Sequence, residues 1–220
     1  MTFKGWPVDA IEFYAKLEAD NSKAFWQANK DTYEDAVKAP FLELSEAVAK
    51  KFGALRIFRP YRDTRFSKDK TPYKTQAAAV TESEGGAAYY VMISAEGLYV
   101  GSGYYHLAND QLANFRDAVA DNRTGPKLAA AVDALRKQKY NVNSRESLRR
   151  VPRGFDPENP RAELLKLKGI HVGKEFGAPK WLHTATALDR ITTAWKAADP
   201  VNNWLNRNVG PSTEAPPEPD

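Results

Sequence analysis

The sequence contains no cysteine, which excludes disulfide staples, a thiol nucleophile and any thiolate zinc site. It has no apolar run near the roughly 18 residues that a membrane-spanning helix needs. Histidine is scarce: His106, His171 and His183 stand alone, and their spacing matches no set of metal ligands, so no metal site is expected. A Gly-x-Ser-x-Gly elbow is absent, which leaves an acyl-transfer serine without local support. Neither an internal repeat nor a Gly/Ser-rich linker divides the chain. The start, Met1-Thr2-Phe3-Lys4-Gly5-Trp6-Pro7, lacks the apolar stretch of a signal peptide. These absences point to a soluble, cytoplasmic protein with no membrane partner.

What is present is 220 residues of near-average composition, 42% apolar and 27% charged, enough to bury one sizeable core. The first third carries helical spacing. Asp9, followed by Glu12, opens a stripe of Ile11, Phe13, Tyr14 and Leu17. Asn21 or Ser22 is placed to cap a second helix carrying Trp26, Tyr33 and Val37. Pro40 suits the first turn of a third, with Phe41, Leu44, Val48 and Phe52, and Gly53 a stop. The period then changes. Residues 76–82, 88–95 and 98–105 are β-rich and separated by Gly85-Gly86 and Glu96-Gly97, as in an antiparallel meander. Residues 55–66 are expected to add a strand, at an edge or bulged because Pro60 cannot donate to a ladder. Helical stripes return after Asn109, after Gly125-Pro126, after Asn159-Pro160, over 182–197 and after Asp199-Pro200. The expected fold class is α+β, a single domain over 1–208 in which helices from both ends of the chain pack around an antiparallel β-meander. Residues 209–220 form a Pro-rich tail that has no basic or large apolar residue from Gly210 onward and is expected to be disordered.

Charge is unevenly placed. The net charge is +4, yet residues 56–74 hold seven cations (Arg56, Arg59, Arg62, Arg65, Lys68, Lys70, Lys74) against Asp63 and Asp69. That segment alone carries +5, and the remainder of the chain is slightly negative. A smaller cluster at 145–153 has four arginines and one acid. Charge placed for solubility would be scattered, so the pattern suggests a field for anions. Guanidinium forks suit phosphate or carboxylate, ammonium groups add point charge, and interleaved Tyr61, Phe66 and Tyr73 could stack a base. The opposing reading is an internal ion-pair network tying these arginines to Asp63, Asp69 and helix carboxylates. Two glycine patterns are near misses. Gly101-Ser102-Gly103 lacks the third glycine of a dinucleotide fingerprint, and Gly169 to Glu175 lacks the spacing and hydroxyl of a P-loop. A bulge and a turn, respectively, explain them.

The run Arg62-Asp63-Thr64-Arg65-Phe66-Ser67-Lys68-Asp69-Lys70-Thr71-Pro72-Tyr73-Lys74-Thr75 resembles the signature of an uncharacterised family of conserved bacterial proteins, domain of unknown function 2461. The resemblance extends to Phe3-Lys4-Gly5, to Asn21, Phe25, Trp26, Asn29 and Tyr33, to Gly97 through Gly103, and to Arg149 with Val151-Pro152-Arg153-Gly154-Phe155. Pro60 departs from it, where an aliphatic residue is expected. The resemblance implies one domain across the chain and supplies no activity.

Three functional readings follow. In the first, Arg59, Arg62, Arg65, Lys68, Lys70, Tyr73 and Lys74, joined by Arg149 and Arg153, bind a phosphate-bearing small molecule or nucleic acid. In the second, an enzyme acts on a phosphorylated or carboxylated small molecule, with Asp63, Asp69 or His106 for proton transfer or metal binding. In the third, the arginines form a structural network and hold no ligand. No cofactor is assigned.

Overall fold

The helical spacing of the first third becomes a run of helices in the computed structural model, which describes residues 2–65, 67–81 and 86–214. Helix α1 (Val8–Ala19) buries Ala10, Phe13, Tyr14 and Leu17. It starts behind Pro7 with no side-chain cap, so Asp9 does not cap it; Asp9 stands in the first turn, where a carboxylate suits the positive end of the helix dipole. Helix α2 (Lys23–Ala28) is capped by Ser22, whose hydroxyl accepts from the Phe25 amide at 3.1 Å. The single turn α3 (Lys30–Thr32) leads into a wide π turn, Tyr33–Lys38, and directly into α4 (Ala39–Phe52). Pro40 occupies the first turn of α4 as expected. Its missing N–H falls where the wide turn gives way to the regular ladder.

Strands β1 (Leu55–Ile57), β2 (Gln76–Thr81), β3 (Ala88–Ser94), β4 (Gly97–Tyr104), β5 (Asn141–Asn143) and β6 (Ile170–Gly177) form one sheet in the order β1-β2-β3-β4-β6-β5. It is antiparallel, with Arg56 opposite Val80, Ala79 opposite Val91 and Val142 opposite Val172. The remaining helices are α5 (Asn109–Ala120), α6 (Gly125–Lys137), α7 (Ala162–Leu165), α8 (Thr186–Ala197) and α9 (Asp199–Asn208). The fold is α+β, as the change of period indicated. The strand expected over 55–66 stops at Ile57. Because β1 ends the sheet order, Pro60 removes no donor from a central ladder. Gly173, read as part of a turn, lies inside β6. Gly103 accounts for the fingerprint-like pattern: its φ is +139°, and an added Cβ would sit 2.4 Å from the Ile170 carbonyl oxygen. A close approach of backbones, with no phosphate involved, accounts for glycine there.

The chain divides into two compact units, the first comprising Met1–Glu82, Tyr89–Val100 and Glu175–Ala194 and the second the remainder. In the first unit Trp6 is fully buried and meets Phe3 and Phe41 edge-on, at 5.1 and 5.0 Å between centroids. The Trp6 amide donates to the Leu182 carbonyl, and the Trp6 carbonyl lies 2.8 Å from His183 Nδ1. The second unit is built on Phe115, Val119, Leu128, Val132, Leu165, Val201, Trp204 and Leu205. Buried Arg161 caps the end of α5, its guanidinium donating to the carbonyls of Val119 and Ala120 and to the Asn122 side chain. Residues 209–214, expected in the disordered tail, are held on the start of α5. The Gln111 side chain donates to the Gly210 carbonyl at 2.8 Å, and Asp110 accepts from the Ser212 hydroxyl and from the Thr213 amide and hydroxyl. Polar partners on α5, which apolar composition does not report, hold these residues. Residues 215–220 lie outside the described residues.

Candidate anion site in the 56–74 segment

Beyond β1 the backbone is tied to the segment returning toward β2 by a short ribbon. Tyr61 and Tyr73 face each other in an isolated antiparallel bridge. The Arg62 amide donates to the Pro72 carbonyl at 2.9 Å, and the Lys74 amide to the Pro60 carbonyl at 2.8 Å. Alternation across such a pair places Arg62 and Lys74 on one face and Tyr61 and Tyr73 on the other.

The excursion between these tyrosines is stapled from within. Arg65 grips Asp63 through two nitrogens, Nε at 3.0 Å from Oδ1 and Nη2 at 2.7 Å from Oδ2, while its amide donates to Oδ1 at 3.1 Å. Asp69 Oδ1 accepts from the Thr71 amide at 2.9 Å and hydroxyl at 2.7 Å. Arg62 Nη1 donates to Asp69 Oδ2 and to the Thr71 hydroxyl. Lys70 donates to the Thr64 carbonyl at 2.8 Å. Asp63 is thereby held down to about 2, chiefly by its hydrogen bonds from Arg65. Asp69 is lowered by its bonds from Thr71 and by the Arg62 charge. Both are acceptors already engaged, a poor starting point for proton transfer or metal binding. Among the described residues no three His, Asp or Glu side chains are grouped to hold a metal ion.

Asn21 and Trp26 fasten this loop to the helices. Asn21 pairs reciprocally with the Tyr73 backbone, donating to its carbonyl at 3.0 Å and accepting from its amide at 3.1 Å. The Tyr73 ring stacks on Trp26 with centroids 4.3 Å apart and planes 6° apart. Tyr33 lies against the same indole at 4.8 Å, and Phe13 at 5.8 Å. Tyr73 is 4% exposed, so its ring serves as a peg; Tyr61, 50% exposed, is the ring that reaches solvent. By spacing alone Asn21 reads as a helix cap and Trp26 as core. The signal that could have joined them was their place beside the long motif in the family resemblance.

The remaining cations differ from Arg62 and Arg65. Arg59 and Lys68 are exposed and make no side-chain hydrogen bond or ion pair with a described residue. Lys74 has its ammonium 5.6 Å above the Phe58 ring, which Arg56 also approaches, at 5.0 Å. Burial first, and the charges of Arg59 and Arg62 second, lower the Lys74 pKa. Arg149, Arg153 and His106 belong to the second unit. Arg149 and Arg153 are exposed there, and His106 contributes to holding the Glu146 carboxyl below its usual range. Phe66 lies outside the described residues. No described helix is long and apolar enough to cross a membrane.

A family model described as a conserved hypothetical protein (DUF2461) matches residues 9–204. No curated protein matches the chain.

Proposed function

The chain belongs to the DUF2461 family of conserved hypothetical proteins, and from that premise we propose that Arg59, Arg62 and Lys74 hold a small phosphate- or carboxylate-bearing anion. The observation that carries this reading is the ribbon at Tyr61 and Tyr73, which sets Arg62 and Lys74 on one face, while Arg59 and Lys74 make no hydrogen bond or ion pair with a carboxylate among the described residues and Arg59 acts on Asp63 through its charge alone. Crowded cations repel one another, and a bound anion relieves that repulsion. Lys68 and Lys70, both exposed, add a general attraction, whereas Tyr73 is occupied by Trp26.

A second reading is favoured for two residues by their own contacts. Arg62 and Arg65 serve as loop staples through Asp69 and Asp63, so Arg62 has a share in both roles. The enzyme reading gains nothing from the geometry, because Asp63 and Asp69 already accept internal donors.

The test is thermal denaturation with inorganic phosphate, pyrophosphate and citrate. A ligand at a hundred times its dissociation constant adds about 2.7 kcal/mol. The expected result is a rise in Tm with at least one of them, lost in the Arg59→Ala/Lys74→Ala double variant. No rise, or an equal rise in the double variant, overturns the proposal. Binding that restores charge to Lys74 takes up a proton, so affinity falls as pH is raised through the depressed Lys74 pKa.

A further inference from the structure

Three stretches of the second unit run side by side at one end of β4. The Lys168 amide donates to the Glu146 carbonyl at 3.0 Å and the Leu148 amide to the Lys166 carbonyl at 2.8 Å, with Ser147 bridged to Leu167. Gly169 lies so close to the chain after β4 that an added Cβ would sit 2.6 Å from the Tyr105 carbonyl oxygen. The outcome is a surface on which an aromatic ring is presented to solvent. Tyr105 is 59% exposed. Its ring is flanked by the Arg145 guanidinium at 6.0 Å and by the His171 ring at 5.7 Å. His171 is half-buried, which lowers its pKa and keeps the ring neutral near pH 7. It therefore adds a flat neighbour and no repelling charge.

The acid within this segment is already committed: Glu146 pairs with Lys168 at 3.0 Å. Onward along the same loop, Arg149, Arg150 and Arg153 are exposed and make no ion pair or side-chain hydrogen bond with a described residue. We propose that this surface binds single-stranded nucleic acid, with a base stacked on Tyr105 and the backbone followed by Arg145, Arg149, Arg150 and Arg153. A small anion needs the charges and has no use for the ring. An acidic peptide meets the charges equally well, yet gives the exposed ring no planar partner. A duplex keeps its bases stacked on one another. Only a single strand offers repeated phosphates together with free base faces. The proposal is independent of the anion site at 56–74.

The experiment is fluorescence anisotropy of a labelled oligothymidine with the full chain, at low and at raised salt. Tyr105→Ala is expected to weaken binding about tenfold or more, while Tyr105→Phe and Tyr105→Trp retain it. Arg149→Ala and Arg153→Ala should each flatten the plot of log affinity against log salt by about 0.7. The Arg59→Ala/Lys74→Ala variant should keep its dependence on Tyr105. Absence of binding at low salt overturns the proposal. So does equal affinity for a duplex of the same length, equal competition by polyglutamate, or indifference to Tyr105→Ala. Loss of binding in the Arg59/Lys74 variant overturns it too, by moving the strand to the other unit.

Discussion

Two arginine-rich loops of this chain look alike as strings of letters and behave differently in the fold. In 56–74, Arg65 finds Asp63 two positions before it and Arg62 finds Asp69 seven positions after it, and the loop closes on itself. In 145–153 the acid, Glu146, turns to Lys168 from another stretch, leaving Arg149, Arg150 and Arg153 without an ion pair or side-chain hydrogen bond among the described residues. Net charge therefore favours the first loop, while both loops keep cations without an ion pair or side-chain hydrogen bond among the described residues, Arg59, Lys68 and Lys74 in one and Arg149, Arg150 and Arg153 in the other. Acids at turn spacing convert a basic run into a scaffold; their absence leaves it as a surface. A region held by aromatic stacking and internal staples should be costly to disturb. A region of unpaired arginines should be cheap to mutate and sensitive to salt.

The largest expected effect is on the pegged loop. Trp26 is 3% exposed and touches Phe13, Tyr33 and Tyr73. Trp26→Ala should cost about 3–5 kcal/mol in urea denaturation. A loss below about 1 kcal/mol would erase the contrast between the loops. Arg62→Ala comes next. Its side chain is 30% exposed and Asp69 51%, so the loss should be near 1 kcal/mol, with Thr71 losing a partner as well. A much larger loss would restore the reading in which the arginines knit helices to sheet. Acid should distinguish the loops in the same sense. Asp63, near 2, and Asp69, also lowered, have folded-state values below their unfolded ones. Their contribution is present above the ordinary carboxylate range and lost as pH falls toward about 2. Amide protection in 62–65 and 67–72, taken relative to the intrinsic exchange rate at each pH, should fall over that window, while that in 149–153 should respond little. The smallest effect belongs to Arg149→Ala and Arg153→Ala, each expected within about 0.5 kcal/mol of the parent in stability.

The helices were legible where apolar residues recur at helical spacing, and so was the meander over 76–104, where β-rich runs alternate with turn residues. Strands β5 and β6 were not, because Asn141–Asn143 is too short to show a period and Gly173 and Gly177 interrupt Ile170–Gly177. For the candidate site, the sequence located the basic segment and left open whether its arginines were partnered. That question turns on backbone reversals at Asp63 and Asp69 that bring side chains back onto their own loop, and periodicity carries no information about them. The place of Asn21 was hidden for a related reason. Its partner, the Tyr73 backbone, is 52 residues away.

The strap laid over α5 has a practical bearing on how far the chain can be shortened. Gln111 is 4% exposed and spends its amide on the Gly210 carbonyl, and Asn114 reaches the Val209 carbonyl. Trimming after Asn208 would strip both acceptors, and the shortened chain should melt below the full one. A matched region ending at residue 204 is thus a poor guide to where a recombinant version should stop.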